Sequence, residues 1–139
     1  MKLTTKVRYA VSAMCDLAVN YDPDRPVHVK DIASRQNLSP LYIEQLFNKL
    51  KRAKLIKSTR GPGGGYVLAE KPSKVKIGDI FRIIEGPIAL VGCVDRGAAK
   101  LDCAMSGKCS TKPLWAKLSH LIEKLLDSTT LADLCGRTK

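Results

Sequence analysis

Apolar residues recur at helical spacing over most of this chain. Val7, Ala10, Val11, Met14 and Leu17 form the first stripe, after the capping candidates Thr4 and Thr5, and predict a helix over about 5–20. Tyr21-Asp22-Pro23-Asp24-Arg25-Pro26 is a connection, with two prolines and two aspartates. A short helix over Val29–Gln36 turns Ile32 and Ala33 inward, and Asn37 tolerates the left-handed backbone of a tight turn. Ser39-Pro40 then opens another helix, with a hydroxyl to cap orphan amides and a proline where its missing N–H costs nothing. Its inward stripe is Ile43, Leu46, Phe47 and Leu50, which leaves Tyr42, Glu44, Gln45, Asn48 and Lys49 facing outward or sideways. Two helices joined so closely make a helix-turn-helix, and that outward set can read base edges in a major groove.

Leu55-Ile56-Lys57-Ser58-Thr59 and Tyr66-Val67-Leu68 read as short strands around Arg60-Gly61-Pro62-Gly63-Gly64-Gly65, a hairpin wing. No Lys-Ser/Thr pair ends that glycine cluster and no helix begins there, so it lacks the signature of a nucleotide-binding loop. Beyond Lys71-Pro72-Ser73-Lys74, Ile77, Ile80, Phe81 and Ile84 trace a helix that Gly86-Pro87 ends. Pro113 opens a further helix with a long apolar face of Leu114, Leu118, Leu121, Ile122 and Leu125, and pairing with a second copy would cover it. Leu131-Ala132-Asp133-Leu134 reads as a last helical turn before a polar tail. The expected class is mainly α with a small β-hairpin wing. Its organisation is a winged helix-turn-helix over 1–70, a connecting helix over 71–92, a cysteine loop over 93–110, and a dimerisation helix with tail over 111–139.

Charge sharpens this picture. Lys and Arg number 24 against 13 Asp and Glu, a formal charge of +11, which favours a polyanionic partner. Lys49, Lys51, Arg52, Lys54, Lys57 and Arg60 crowd the helix end and wing as a phosphate footprint, and Arg60 is placed to enter a narrow minor groove. No apolar run approaches the ~20 residues that span a bilayer, and no signal peptide is visible, so a cytoplasmic protein away from membranes is expected. No Ser/His/Asp or Cys/His arrangement suggests an enzyme. An RNA-binding accessory protein would share the charge, but RNA modules usually expose stacking aromatics, and only 5% of residues here are aromatic.

Cysteine is the remaining chemistry. Cys93, Cys103 and Cys109 lie in a Gly- and charge-rich stretch before the leucine-faced helix, and in a reducing compartment they read as thiols or metal ligands rather than a disulfide framework. Zinc usually takes paired Cys-x2-Cys knuckles, which neither spacing provides; an iron-sulfur site or a bare thiol switch also suits three thiolates. Cys15, beside the first apolar stripe, reads as a small buried hydrophobe.

With these residues assembled, the chain resembles the winged-helix regulators that include IscR, NsrR, RirA and CymR, and it follows the IscR pattern most fully. The resemblance is carried by Met1-Lys2-Leu3-Thr4, Arg8-Tyr9-Ala10-Val11, Ser39 to Phe47, Arg60-Gly61-Pro62-Gly63-Gly64-Gly65-Tyr66, and Leu114-Trp115 after Cys109. It implies a homodimeric cytoplasmic regulator that binds a palindromic double-stranded DNA operator and carries an iron-sulfur cluster on Cys93, Cys103 and Cys109; a repressor is expected because a dimer on a promoter blocks polymerase without special contacts, with activation at some sites left open. By the IscR pattern that cluster is 2Fe-2S rather than 4Fe-4S. The combined reading gives a DNA-contact set of Ser39, Tyr42, Glu44, Gln45, Lys49, Arg60 and Gly63. It implies a selective role for Glu44, whose carboxylate accepts from a cytosine amino group and repels acceptors.

Two departures stand out. Nine residues separate Cys93 from Cys103 and five separate Cys103 from Cys109, where the IscR pattern has about five in each gap. Lys112 stands where that pattern has a histidine ligand, and a protonated lysine has no lone pair to give. Cys135, His120, Asp102, a partner-subunit residue, an exogenous thiol or water all stay open as fourth ligand.

Overall fold

The computed structural model describes residues 3–91 and 109–135. The chain order is α1 (Thr5–Val19), α2 (Val29–Gln36), α3 (Pro40–Arg52), β1 (Ile56–Thr59), β2 (Gly65–Leu68), a 3-10 turn at Pro72–Lys74, α4 (Ile77–Glu85), α5 (Lys112–Ser128) and α6 (Leu131–Cys135). The expected mainly helical class with a two-stranded wing is what forms. Each element sits within a residue or two of its expected bounds.

Local chemistry sets those bounds. His28 caps α2, its ring Nδ1 accepting from the Lys30 amide at 3.2 Å, and Asn37 ends it in the left-handed region at φ 54°. The Leu38 amide returns to the Ala33 carbonyl at 2.9 Å, and two residues on from Asn37 the Ser39 hydroxyl accepts from the Tyr42 amide at 3.1 Å to start α3. Thr4 behaves differently from its expected role. It precedes α1 without a side-chain cap bond, and its hydroxyl instead donates to the Glu85 carboxylate at the end of α4.

Phe47, Met14, Leu17, Ile32, Ile43, Leu50, Ile56, Ile80 and Leu131 are the largest fully buried side chains, and they draw one core from both ends of the chain. Leu131 belongs to the segment read as a last turn before a polar tail. It is fully buried because the chain after α5 returns to the centre: the Ile77 amide donates to the Thr129 carbonyl at 2.9 Å and the Leu131 amide to the Val75 carbonyl at 3.0 Å. Polar clasps fasten the periphery. Arg35 forks onto buried Asp16, Nε to Oδ2 at 2.9 Å and Nη2 to Oδ1 at 2.7 Å, tying α2 to α1. Arg82 does the same for α4 and α5, its two terminal nitrogens meeting Asp127 at 2.8 and 2.7 Å. Gly78 makes that approach possible, since a methyl group there would collide with the Asp127 carboxylate.

The two-stranded wing carries one addition. β1 and β2 pair from Ile56 with Leu68 to Thr59 with Gly65 in an antiparallel ladder, and Val27 bridges Tyr66 from outside it. Val27 and Tyr66 exchange both backbone hydrogen bonds at 2.8 Å, so the residue just after the Tyr21–Pro26 connection is stitched to the sheet.

Candidate nucleic-acid interface and cysteine site

The buried stripe of α3 fixes which of its residues look outward. Leu41, Gln45, Asn48, Lys49, Lys51 and Arg52 are exposed along the helix, while Glu44 and Tyr42 are half-buried. Tyr42 meets Tyr9 edge to face, with ring centroids 5.9 Å apart and planes at 87°, so its ring packs onto α1. Ser39 is exposed, but its hydroxyl already caps α3. Leu41 was absent from the contact set read in the sequence and is 65% exposed in the first turn of the helix. Its signal was available: it is the apolar residue of α3 outside the Ile43-Leu46-Phe47-Leu50 stripe.

Helix α3 ends with a charged residue in a glycine's position. The Leu55 amide donates to the Leu50 carbonyl at 3.1 Å and the Lys54 amide to the Lys51 carbonyl at 2.9 Å, a Schellman closure with Lys54 at φ 65°. That geometry sends the chain directly into β1. Lys49, Lys51, Arg52, Lys54, Lys57 and Arg60 are all exposed, so the helix end and wing base present one basic surface.

Tyr66 holds the wing and α3 together. Its ring lies edge-on to Phe47 of α3 at 5.0 Å, and its hydroxyl is raised above the usual tyrosine range by burial first and by the Glu44 charge second. Glu44 therefore faces the wing side of α3. The glycines of the wing divide by role. Gly61 has φ 104° and its carbonyl accepts from the Gly64 amide at 2.9 Å to close the turn. A methyl on Gly64 would strike the Thr59 carbonyl, and one on Gly65 the Val27 carbonyl. Gly63 is exposed with open space where a methyl would stand.

At the cysteine site, Cys93, Cys103 and Asp102 lie outside the described residues. Cys109 stands before α5 with its sulfur 3.2 Å from the Thr111 hydroxyl. Trp115 Nε1–H donates to that same oxygen at 3.2 Å, so Thr111 links the Cys109 sulfur to the first turn of α5. The Thr111 hydroxyl, then the backbone amides of Thr111 and Lys112, and last the Lys112 charge hold the Cys109 thiol below its usual pKa of 9.0. Cys109 is thus a partly exposed thiol biased towards thiolate, the form that binds iron or exchanges disulfides. Among the described residues no group of three or more Cys, His, Asp or Glu side chains gathers closely enough to hold a metal ion.

The remaining sequence candidates separate. Cys135 is buried on α6 with its sulfur 3.8 Å from the Cys15 carbonyl of α1. Cys15 is partly buried and its thiol is pushed up to about 11, by burial first and then by Cys135. His120 is exposed on α5, and His28 is the α2 cap. Along α5, Leu114, Leu118, Leu121 and Leu125 are 57%, 38%, 53% and 65% exposed and share one side. The opposite side packs inward through Ser119, whose hydroxyl accepts from the Leu90 amide at 3.0 Å, and through the Asp127 clasp.

Comparisons with known proteins agree with this geometry. A family model described as Rrf2, iron-dependent transcriptional regulator, matches residues 3–137. The transcriptional regulator IscR of Vibrio campbellii is 41% identical over 134 residues, 96% of this chain and 77% of the relative. Among solved structures, CymR, the global cysteine regulator of B. subtilis, superposes with a TM-score of 0.81 at 38% identity, covering all of this chain and 99% of CymR. T. potens IscR gives a TM-score of 0.78 at 42% identity, covering all of this chain and 89% of that one. These relatives are transcription regulators, not enzymes. No helix among the described residues is long and apolar enough to cross a membrane. The chain belongs to the Rrf2 family of winged-helix transcriptional regulators.

Proposed function

We propose that this regulator is a cytoplasmic homodimer that represses transcription from a palindromic DNA operator, and that an iron-sulfur cluster held by Cys93, Cys103 and Cys109 sets its operator affinity. The observation that carries the reading is the position of Cys109. A thiol whose pKa is lowered stands just before the helix whose exposed leucines suit a second copy. A ligand group here touches the element that orients the two halves of a dimer.

Each residue then has a task. Gln45 and Asn48 are exposed towards base edges, and Glu44 selects by accepting from cytosine and repelling acceptors. Lys49, Lys51, Arg52 and Lys57 engage phosphates, while Arg60 at the wing enters the minor groove beside the exposed tip at Gly63. When bound, a cluster of the 2Fe-2S type would supply a redox- and ligand-sensitive bond between the cysteine loop and α5. Thr111, the α5 amides and Lys112 hold Cys109 ready for it, and Lys112 cannot itself complete the ligand set. Regulation is a difference in DNA affinity between the loaded and empty protein.

Anaerobic purification, with visible absorption and iron and sulfide content, tests this on the parent and on Cys93→Ala, Cys103→Ala and Cys109→Ala. Colour and iron lost in each variant, together with altered operator binding, are expected. Colourless protein after reconstitution, with DNA binding that responds to oxidant through Cys109, would replace the cluster by the thiol-switch reading that the same thiolate favours.

A further inference from the structure

We propose that Leu41 reads the C5-methyl group of one thymine in each operator half-site. This rests on α3 being the helix that enters the major groove. Isolated exposed leucines are ordinary on protein surfaces, so exposure alone would mean nothing. The position is what matters. Leu41 lies in the first turn of the second helix of a helix-turn-helix, the part of the motif that meets base edges.

The core does not need this side chain. Ile43, Leu46, Phe47 and Leu50 already fill the inner face of α3, and Leu41 stays 65% exposed. Its first turn is held by the Ser39 cap, so the side chain projects from a fixed backbone. One turn on, at the same face, stands Gln45, and one further turn on stands Lys49. That row runs apolar, amide, cation towards the basic helix end. Along the base edges of a major groove the thymine methyl is the apolar group, so an apolar side chain placed there discriminates thymine from cytosine by contact alone. Gln45 beside it can form the paired contact to an adenine. The half-site therefore carries a thymine next to the base that Gln45 reads.

The experiment needs no prior operator. Duplexes preferred by the full-length protein are selected from a random pool, and each thymine of the selected site is replaced in turn by uracil, which lacks only the methyl group. Burial of one methyl-sized group predicts roughly four-fold weaker binding for uracil at one position of a half-site, and roughly fifteen-fold when both half-sites are changed. In Leu41→Ser the thymine and uracil duplexes should bind alike, while Gln45→Ala should keep the thymine preference. Because Leu41 is exposed, Leu41→Ser should melt within about a degree or two of the parent. Either of two results overturns the proposal: no uracil penalty at any position in the parent, or the same penalty surviving in Leu41→Ser. If neither Leu41→Ser nor Gln45→Ala alters the selected sequence, the failure lies earlier, in α3 as the reading helix.

Discussion

Lys54 occupies a left-handed position at φ 65° that closes α3, and a side chain there costs about 1 kcal/mol relative to glycine. Lys54→Gly should therefore raise the urea midpoint, by roughly 0.5–1 kcal/mol of stability, while weakening DNA binding through loss of a cation. Binding and stability moving in opposite directions is the signature; a variant less stable than the parent would reject the closure geometry. Cys15 offers a second residue-level test. Its thiol titrates at about 11 in the folded chain against 9.0 when unfolded, so the unfolded state ionises first on raising the pH. The stability this burial provides is complete below pH 9 and drains away between 9 and 11. Unfolding at pH 8 and pH 10.5 should show a steeper loss for the parent than for Cys15→Ala, and equal losses would mean the thiol is open to water. Single residues were read unevenly from sequence. Ser39, Pro40 and Asn37 carry their structural meaning in their side chains, and each sits where its chemistry put it. Thr4 does not, because its hydroxyl meets Glu85 of a distant helix instead of an α1 amide; the half-buried Tyr42 rests on the Tyr9 ring, a contact that no local pattern announces.

At the scale of elements, α5 is the informative one. Four leucines on one side, each at least a third exposed, with the other side held by Ser119 and Asp127, leave an apolar strip that a second copy can cover. Leu118→Asp with Leu121→Asp should convert a dimer into monomers in analytical ultracentrifugation and leave the helical circular dichroism of each chain near the parent's, since neither leucine serves the protomer core. Dimers persisting in the double variant would move the interface elsewhere. The amphipathic helices were legible because a 3.6-residue period repeats over several turns. Val27 was not, since a one-residue rung has no period and the prolines before it read as a connection. The docking of α6 was hidden for a related reason: five residues give too little pattern, and the burial of Leu131 depends on the backbone bonds at Val75 and Ile77, far away in sequence.

Across the whole molecule the formal charge of +11 includes six exposed cations at the end of α3 and the wing base, and their part in binding DNA can be separated by measurement from that of the outward row of α3. Cations that neutralise phosphates release counterions, so the logarithm of affinity falls against the logarithm of salt with a slope of about −0.9 per phosphate contact. Lys51 is exposed at the end of α3, and in a dimer it occurs twice. Lys51→Ala should thus flatten the salt slope by about 1.8 and weaken selected and random duplexes by the same factor. Gln45→Ala should do the reverse, narrowing the gap between selected and random duplexes while the slope stays unchanged. The two variants lie less than two helical turns apart, so a shared effect would show that the basic rim and the outward row act as one surface. Separate effects would show that this chain holds DNA with its lysines and arginines and chooses among sequences with the face of α3 that its own core leaves uncovered.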